Sequence, residues 1–150
     1  MPRRMAGASA EFVASGDNFS LHVDAGVVVL RVWSRRDMTF ARGAELAQTK
    51  LEHLRRLVTR PDVDALLFDL VDAAAVVGPV TETAVRAMIQ VFAERDFAVA
   101  VVVGESPMQE LQFTRMLRDV GGRKGAVRGV VTRDRAEADA FVRAAPSTET

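Results

Sequence analysis

The sequence predicts an α/β domain in which an N-terminal β-hairpin leads into alternating helices and strands, with a mixed sheet of four or five strands and about four helices. Three observations carry this. Short apolar runs bounded by turn residues alternate with stretches whose apolar residues recur every three or four positions. "FAVAVVV", from Phe97 to Val103, has no polar face, and such a strand belongs inside a sheet covered by helices, where parallel strands are found. Helices that join successive strands demand right-handed crossovers and a mainly parallel sheet.

Residues 1 to about 17 are small and polar and show neither period, so they are expected to form a flexible lead-in. "FSLHV" (Phe19 to Val23) alternates apolar and polar residues, and "VVVLRVW" (Val27 to Trp33) is more uniformly apolar; Asp24, Ala25 and Gly26 between them have hairpin chemistry. Phe40, Ala44, Ala47, Leu51, Leu54 and Val58 follow at four- and three-residue spacing, the inward face of a long helix capped by Thr39 or Asp37 and stopped at Arg60-Pro61. "VDALLFDL" (Val63 to Leu70) reads as a largely buried strand, and Pro79 to Arg95 as a second helix with Val80, Ala84, Ala87, Met88, Val91 and Phe92 inward. Beyond the strand at 97–103, Ser106 is an N-cap, Pro107 takes the first helical position, Gln109 completes a capping box and Gly121 lies just past the end. "AVRGVVT" is a short last strand, and Asp134 or Thr132 caps a last helix in "DRAEADAFVRAA". The domain is expected over residues 18–144, with 145–150 as a tail.

Composition narrows the function classes. A chain of 150 residues has the size of one domain, and one of that length buries roughly 70% of the surface its unfolded state exposes. Twenty basic and twenty acidic residues cancel, so the bulk attraction to phosphate that most nucleic-acid binders use is missing, and no nucleic-acid partner is expected. The absence of cysteine removes disulfides, thiolate metal sites and cysteine nucleophiles together and fits a reducing compartment. The opening "MPRRMAGASA" lacks the apolar core of a signal peptide, and no long apolar run suggests a membrane span. A cytoplasmic protein is the expectation.

The candidates for chemistry are sparse. "GESPM" sits on a strand-to-helix turn as a nucleophile elbow does, but Met108 stands where the final glycine belongs, and Ser106 is fully explained as a cap. His22 and His53 lie on different elements with no repeated ligand pattern, so no metal site is expected. Asp64, Asp69 and Asp72 surround one strand end, with Asp64 and Asp69 on opposite faces. "GGRKGAVRG" (Gly121 to Gly129) has glycines and basic residues but matches no phosphate-binding loop, and no aromatics interleave it for base stacking. A response-regulator receiver would open with one strand and a helix, whereas this chain opens with a hairpin.

With "LLFDLVDAAAVVGPV" and "VVVGESPMQELQFTRMLRDVGG" before "VVTRDRAEADAFV", the order of elements resembles a STAS domain, the module of anti-sigma-factor antagonists and sulfate-transporter tails, over about residues 19–143. Leu66, Leu67, Asp69 and Leu70 resemble that family's strand ending in Asp/Asn-Leu. Ser106, Pro107, Leu117 and Gly121 echo its later helix, and Ala136, Glu137 and Ala138 its last one. The resemblance implies a non-enzymatic regulatory module of the SpoIIAA-like kind that works by partner switching, its partner a protein such as a kinase-like anti-sigma factor, and it implies no cofactor. This chain departs from the pattern at one point. Val77, Gly78, Pro79 and Val80 occupy the Asp-Ser-Ser-Gly positions, so the serine phosphorylated in antagonists of this kind is replaced by proline.

Between Asp72 and Thr81 no side chain carries a hydroxyl, carboxylate, imidazole or amine. A bare Gly-Pro-Val surface is poor catalytic material but serviceable for docking, since apolar contact drives association without a reaction; equally, Gly78 and Pro79 are simply suited to starting a helix. The expected partner-binding residues are Val77, Gly78, Pro79, Val80, Thr81 and Val85. Thr81 and Thr83, in the first helical turn, are the candidate phosphorylation sites and are also ordinary first-turn polar residues. An alternative is a STAS-like carrier of a small apolar or lipid ligand, its pocket lined by Met88, Phe92, Phe113 and Met116. An enzyme would need Asp69 or Asp72 gathered with His22 or His53. Self-association stays open on sequence grounds.

Overall fold

The computed structural model describes residues 10–120 and 128–144. The chain begins with three antiparallel strands, β1 (Glu11–Gly16), β2 (Phe19–Asp24) and β3 (Val27–Trp33). Ala25 and Gly26 both take positive φ, 53° and 85°, as the two-residue turn joining β2 to β3 requires. Residues 11–16, expected to belong to a lead-in, are therefore a strand. The difference has a physical cause: "EFVASG" buries none of its residues fully and shows no apolar alternation, so the strand is defined by pairing with β2 and by partners distant in sequence, with Val13 against the core, Phe12 edge-on to His22 and Glu11 paired with Arg60. The expected boundary at residue 18 moves accordingly, while residues 1–9, Gly121 with the glycine-rich basic segment to residue 127, and 145–150 lie outside the described residues.

From β3 the chain alternates: α1 (Phe40–Leu57), β4 (Ala65–Asp72), α2 (Pro79–Ala93), β5 (Ala98–Val103), α3 (Pro107–Val120), β6 (Gly129–Thr132) and α4 (Arg135–Arg143). The sheet has six strands, in the order β1-β2-β3-β4-β5-β6, antiparallel up to β3 and parallel from β3 onward. It is thus a mixed α/β sheet with an N-terminal hairpin and four helices, larger than expected because β1 was not foreseen.

Strand order explains the layering. Parallel neighbours in sequence order, joined by crossovers of one hand, place every connecting helix on the same face. Residues of α1, α2 and α3 accordingly share one core with Leu66, Phe68 and Leu70 of β4 and Val99, Val101 and Val103 of β5. α4 follows the last strand and covers the other face, where Ala138 and Val142 meet Ala65, Leu67, Ala98, Ala100 and Val102. Small alanines on that side suit the approach of a short helix. Every residue of β5 is buried, as its lack of a polar face foretold.

Local signals hold at most helix starts. Thr39 caps α1 by accepting from the Arg42 N–H, and Asp134 caps α4 by accepting from the Ala136 and Glu137 N–H groups. The Ser106 hydroxyl accepts from the Gln109 N–H at 3.3 Å. Two inward residues were misassigned: Phe40 is 79% and Val80 60% exposed, because each stands in a first turn with nothing packed over it.

Candidate functional site

The junction between β4 and α2 has no polar side chains of its own, and neighbouring elements fix its backbone instead. Gln109 of α3 is completely buried; its Nε2 donates toward the carbonyls of Leu70, Ala73 and Ala74, while its Oε1 accepts from the Gly104 N–H. Gln109 therefore does not close a capping box with Ser106, since its amide is committed to the loop. Gln112, one turn on, clasps Val76 from both sides, accepting from its N–H and donating to its carbonyl, each at 2.9 Å. From the loop before α1, the Ser34 N–H donates to Asp72 O and the Ser34 hydroxyl accepts from the Ala74 N–H. Segment 72–76 is thus held through its main chain.

Beyond that anchor, Val77, Gly78, Pro79 and Val80 project outward. Gly78 has φ 92° and ψ 145°, a region that residues with a Cβ rarely enter, and Pro79 takes the first helical position. The segment faces the start of α1, and Phe40, Ala41 and Ala44 with residues 77–81 enclose a shallow, almost wholly apolar groove of about 440 Å³. Phe40, Val77 and Val80 are 79%, 61% and 60% exposed; they are three of the seven large apolar side chains exposed among the described residues, and all three line this one groove.

Of the residues expected to bind a partner, Val77 to Thr81 all line the groove, whereas Val85 is buried beneath it. One turn along α2 from Thr81, Val85 falls on the inward stripe with Ala84, Met88 and Ile89 and offers no surface to a partner. Thr83 is exposed, its hydroxyl donating to Pro79 O at 2.8 Å, while Thr81 is half-buried between the groove and a second cavity.

That second cavity, of about 230 Å³, lies under the loop and between α1 and α2. Met88 and Phe113 line it as expected for a ligand pocket, but Phe92 and Met116 do not; they are closed into the core. The cavity reaches instead toward Lys50, which is only 5% exposed and whose Nζ donates to Asn18 Oδ1 at 3.0 Å above the Phe19 ring. Burial lowers the Lys50 ammonium to about 8. Lys50 stands on α1 three residues after Ala47 and four before Leu54, on the inward stripe, so helical spacing alone marks it as a cation aimed at the core. The apolar pattern conceals it because a lysine on the inward stripe leaves the spacing of Ala47, Leu51 and Leu54 unchanged.

The residues considered for acid-base chemistry are dispersed. Asp69 is buried and paired with Arg135 at 2.9 Å toward α4, whereas Asp72 pairs with Arg31 at 2.7 Å on the surface. The His22 ring meets Phe12 edge-on in the hairpin. His53 lies on α1 against Arg56, and burial followed by that guanidinium lowers its pKa. No cluster of three or more His, Cys, Asp or Glu side chains able to hold a metal ion occurs among the described residues, nor is any of their helices long and apolar enough to cross a membrane.

Comparison of the chain with protein-family profiles, curated proteins and solved structures gives no match.

Proposed function

We propose that this chain is a non-enzymatic regulatory module that binds a protein partner through the groove between the starts of α1 and α2. One observation carries the reading: exposed Phe40, Val77 and Val80 converge on a single apolar groove, over a loop whose backbone is fastened from behind by Gln109 and Gln112. An apolar surface that is already ordered loses little conformational entropy on association, and such contiguous exposure marks an interaction site more often than isolated exposed residues do. The occupant it suits is an amphipathic helix offering an apolar stripe, since a helix in a groove buries side chains at three- and four-residue spacing. A kinase-like anti-sigma factor is the class of partner implied by the likeness to STAS domains. Proline at position 79 means that any phosphate control would act on Thr83 or Thr81, where added charge beside the groove opposes apolar docking.

The test places a photo-crosslinking residue at Ala41, on the α1 side of the groove, in cells and compares the adducts of the parent with those of Phe40→Asp, Pro79→Asp and Val80→Asp chains. A discrete adduct to a different protein that is lost in the variants, with far-UV helix content intact, supports the proposal. Adducts only between copies of the chain would make the groove a self-association surface, and a complex that survives all three substitutions would place docking elsewhere; either result overturns the proposal.

A further inference from the structure

The cavity beneath the 73–77 loop combines two features that apolar packing does not explain. Its floor and inner wall are apolar and closed, formed by Ala47, Phe68, Leu70, Met88 and Phe113, yet buried Lys50 reaches it. An ammonium has three donors and strongly prefers an anion when removed from water. Among the described residues the protein supplies a single hydrogen-bond acceptor, Asn18 Oδ1, and no carboxylate forms an ion pair with Lys50. Asp17, beside Asn18 in the chain, and Glu45, five residues before Lys50, both pair with Arg42. The other ionisable side chain lining the cavity is Arg35, also a cation, which lies at the exposed mouth with Ser34, Ala74 and Val77. Arg35 is engaged with Asp37 and the Asp17 carbonyl, so the wall, apolar apart from Asn18, Ser34 and Thr81, holds one deep cation, Lys50, with no counter-charge among the described residues.

We infer that this cavity is a binding site for a small amphiphilic carboxylic acid, its carboxylate on Lys50 and its apolar body against Phe68, Met88 and Phe113. The volume sets the size. A cavity of about 150 Å³ takes up benzene, so 230 Å³ accepts an acid of about ten non-hydrogen atoms, a medium-chain fatty acid or a phenylalkanoic acid. Larger lipids do not fit unless their chains leave through the mouth. This site lies beneath the docking groove and shares Val77 and Thr81 with it, but the test at Lys50 and the test at Phe40, Pro79 and Val80 change different residues, so the two readings fail separately.

Trp33 lines the cavity and is the only tryptophan in the chain, so its emission reports occupancy. Octanoate and 1-octanol are titrated into the full chain and into Lys50→Met, whose folding is checked by far-UV circular dichroism and melting. The expected result is saturable octanoate binding that weakens about tenfold or more in Lys50→Met, the usual scale for one charge-assisted hydrogen bond, while octanol binds both proteins alike. A second measurement needs no variant to bind. With lysine labelled by ¹³C, the side chains of Lys50 and Lys124 give two sets of Cε resonances, and octanoate is expected to shift that of Lys50. Absence of a saturable signal with octanoate, equal octanoate affinity in parent and Lys50→Met, or an unmoved Lys50 resonance would each overturn the inference.

Discussion

Lys50 Nζ donates to Asn18 Oδ1 at 3.0 Å across a span that ties α1 to the turn between β1 and β2, and no carboxylate among the described residues balances its charge. Desolvation opposes the charged form of the lysine, and a single neutral acceptor offsets only part of that cost.

Stability should therefore depend on alkaline pH in an unusual direction. The folded-state value of Lys50 is about 8, against an ordinary lysine value of 10.5. Between the two the unfolded chain binds more protons, so stability rises as pH increases from about 8 toward 10.5, and the full penalty is present below 8. The gain is at most about 3 kcal/mol. Tyrosine and cysteine are absent and Lys124 is the only other lysine, so few groups in the chain compete over this window. Urea unfolding at pH 7.5 and pH 10 should show it; Lys50→Met should flatten the difference and be more stable than the parent at pH 7.5 by roughly 1–3 kcal/mol.

The glutamine clamp should be costly to remove. Gln109→Met is near in volume but strands the Gly104 N–H and reduces acceptance at three loop carbonyls. A loss of about 2–3 kcal/mol is expected from chemical denaturation. Hydrogen exchange should quicken over 73–78 before it does so in β5. Gln112→Ala, at a half-buried position with two bonds to Val76, should loosen the same segment at a smaller cost of about 1 kcal/mol.

Two glycines should respond to alanine for different reasons. At Gly78 a Cβ would meet nothing within 4 Å, so the penalty is the φ of 92° alone, about 1–2 kcal/mol. At Gly104 a Cβ would stand 2.8 Å from the Val71 carbonyl oxygen, so the ends of β4 and β5 must separate. The contact is with backbone and not with a flexible side-chain end, so thermal melts should rank Gly104→Ala as the more damaging, and crystal structures of the two variants would show which strand end moves.

The groove residues should be dispensable for folding. Phe40→Ser and Val80→Ser remove side chains that are mostly exposed, and each should change stability by under about 0.5 kcal/mol in denaturant titrations. By contrast, Phe68→Ala removes a ring packed edge-to-face on Phe113 at 5.8 Å and should cost about 3–5 kcal/mol. A large loss from Phe40→Ser would mean that this ring is structural and would count against a docking surface.

Sequence alone determined what depends on neighbours along the chain. The caps at Thr39, Ser106 and Asp134, the Ala25-Gly26 turn, the proline at the first position of α2 and the unbroken apolar run of β5 are local signals, and local hydrogen bonding and periodicity suffice to read them. Together they give the α/β order and the bare junction at 77–80. They do not give β1, whose exposed edge is defined by pairing with β2 and by contacts to Arg60, His22 and the core. Tertiary structure decided the rest, because it sets which separated residues meet. The groove exists only where the start of α1 faces the start of α2, some forty residues on. Gln109 and Gln112 act on a loop more than thirty residues away, and Lys50 meets Asn18 from 32 residues along the chain. Burial turned an ordinary helical lysine into a strongly desolvated charge, and burial belongs to the packed whole.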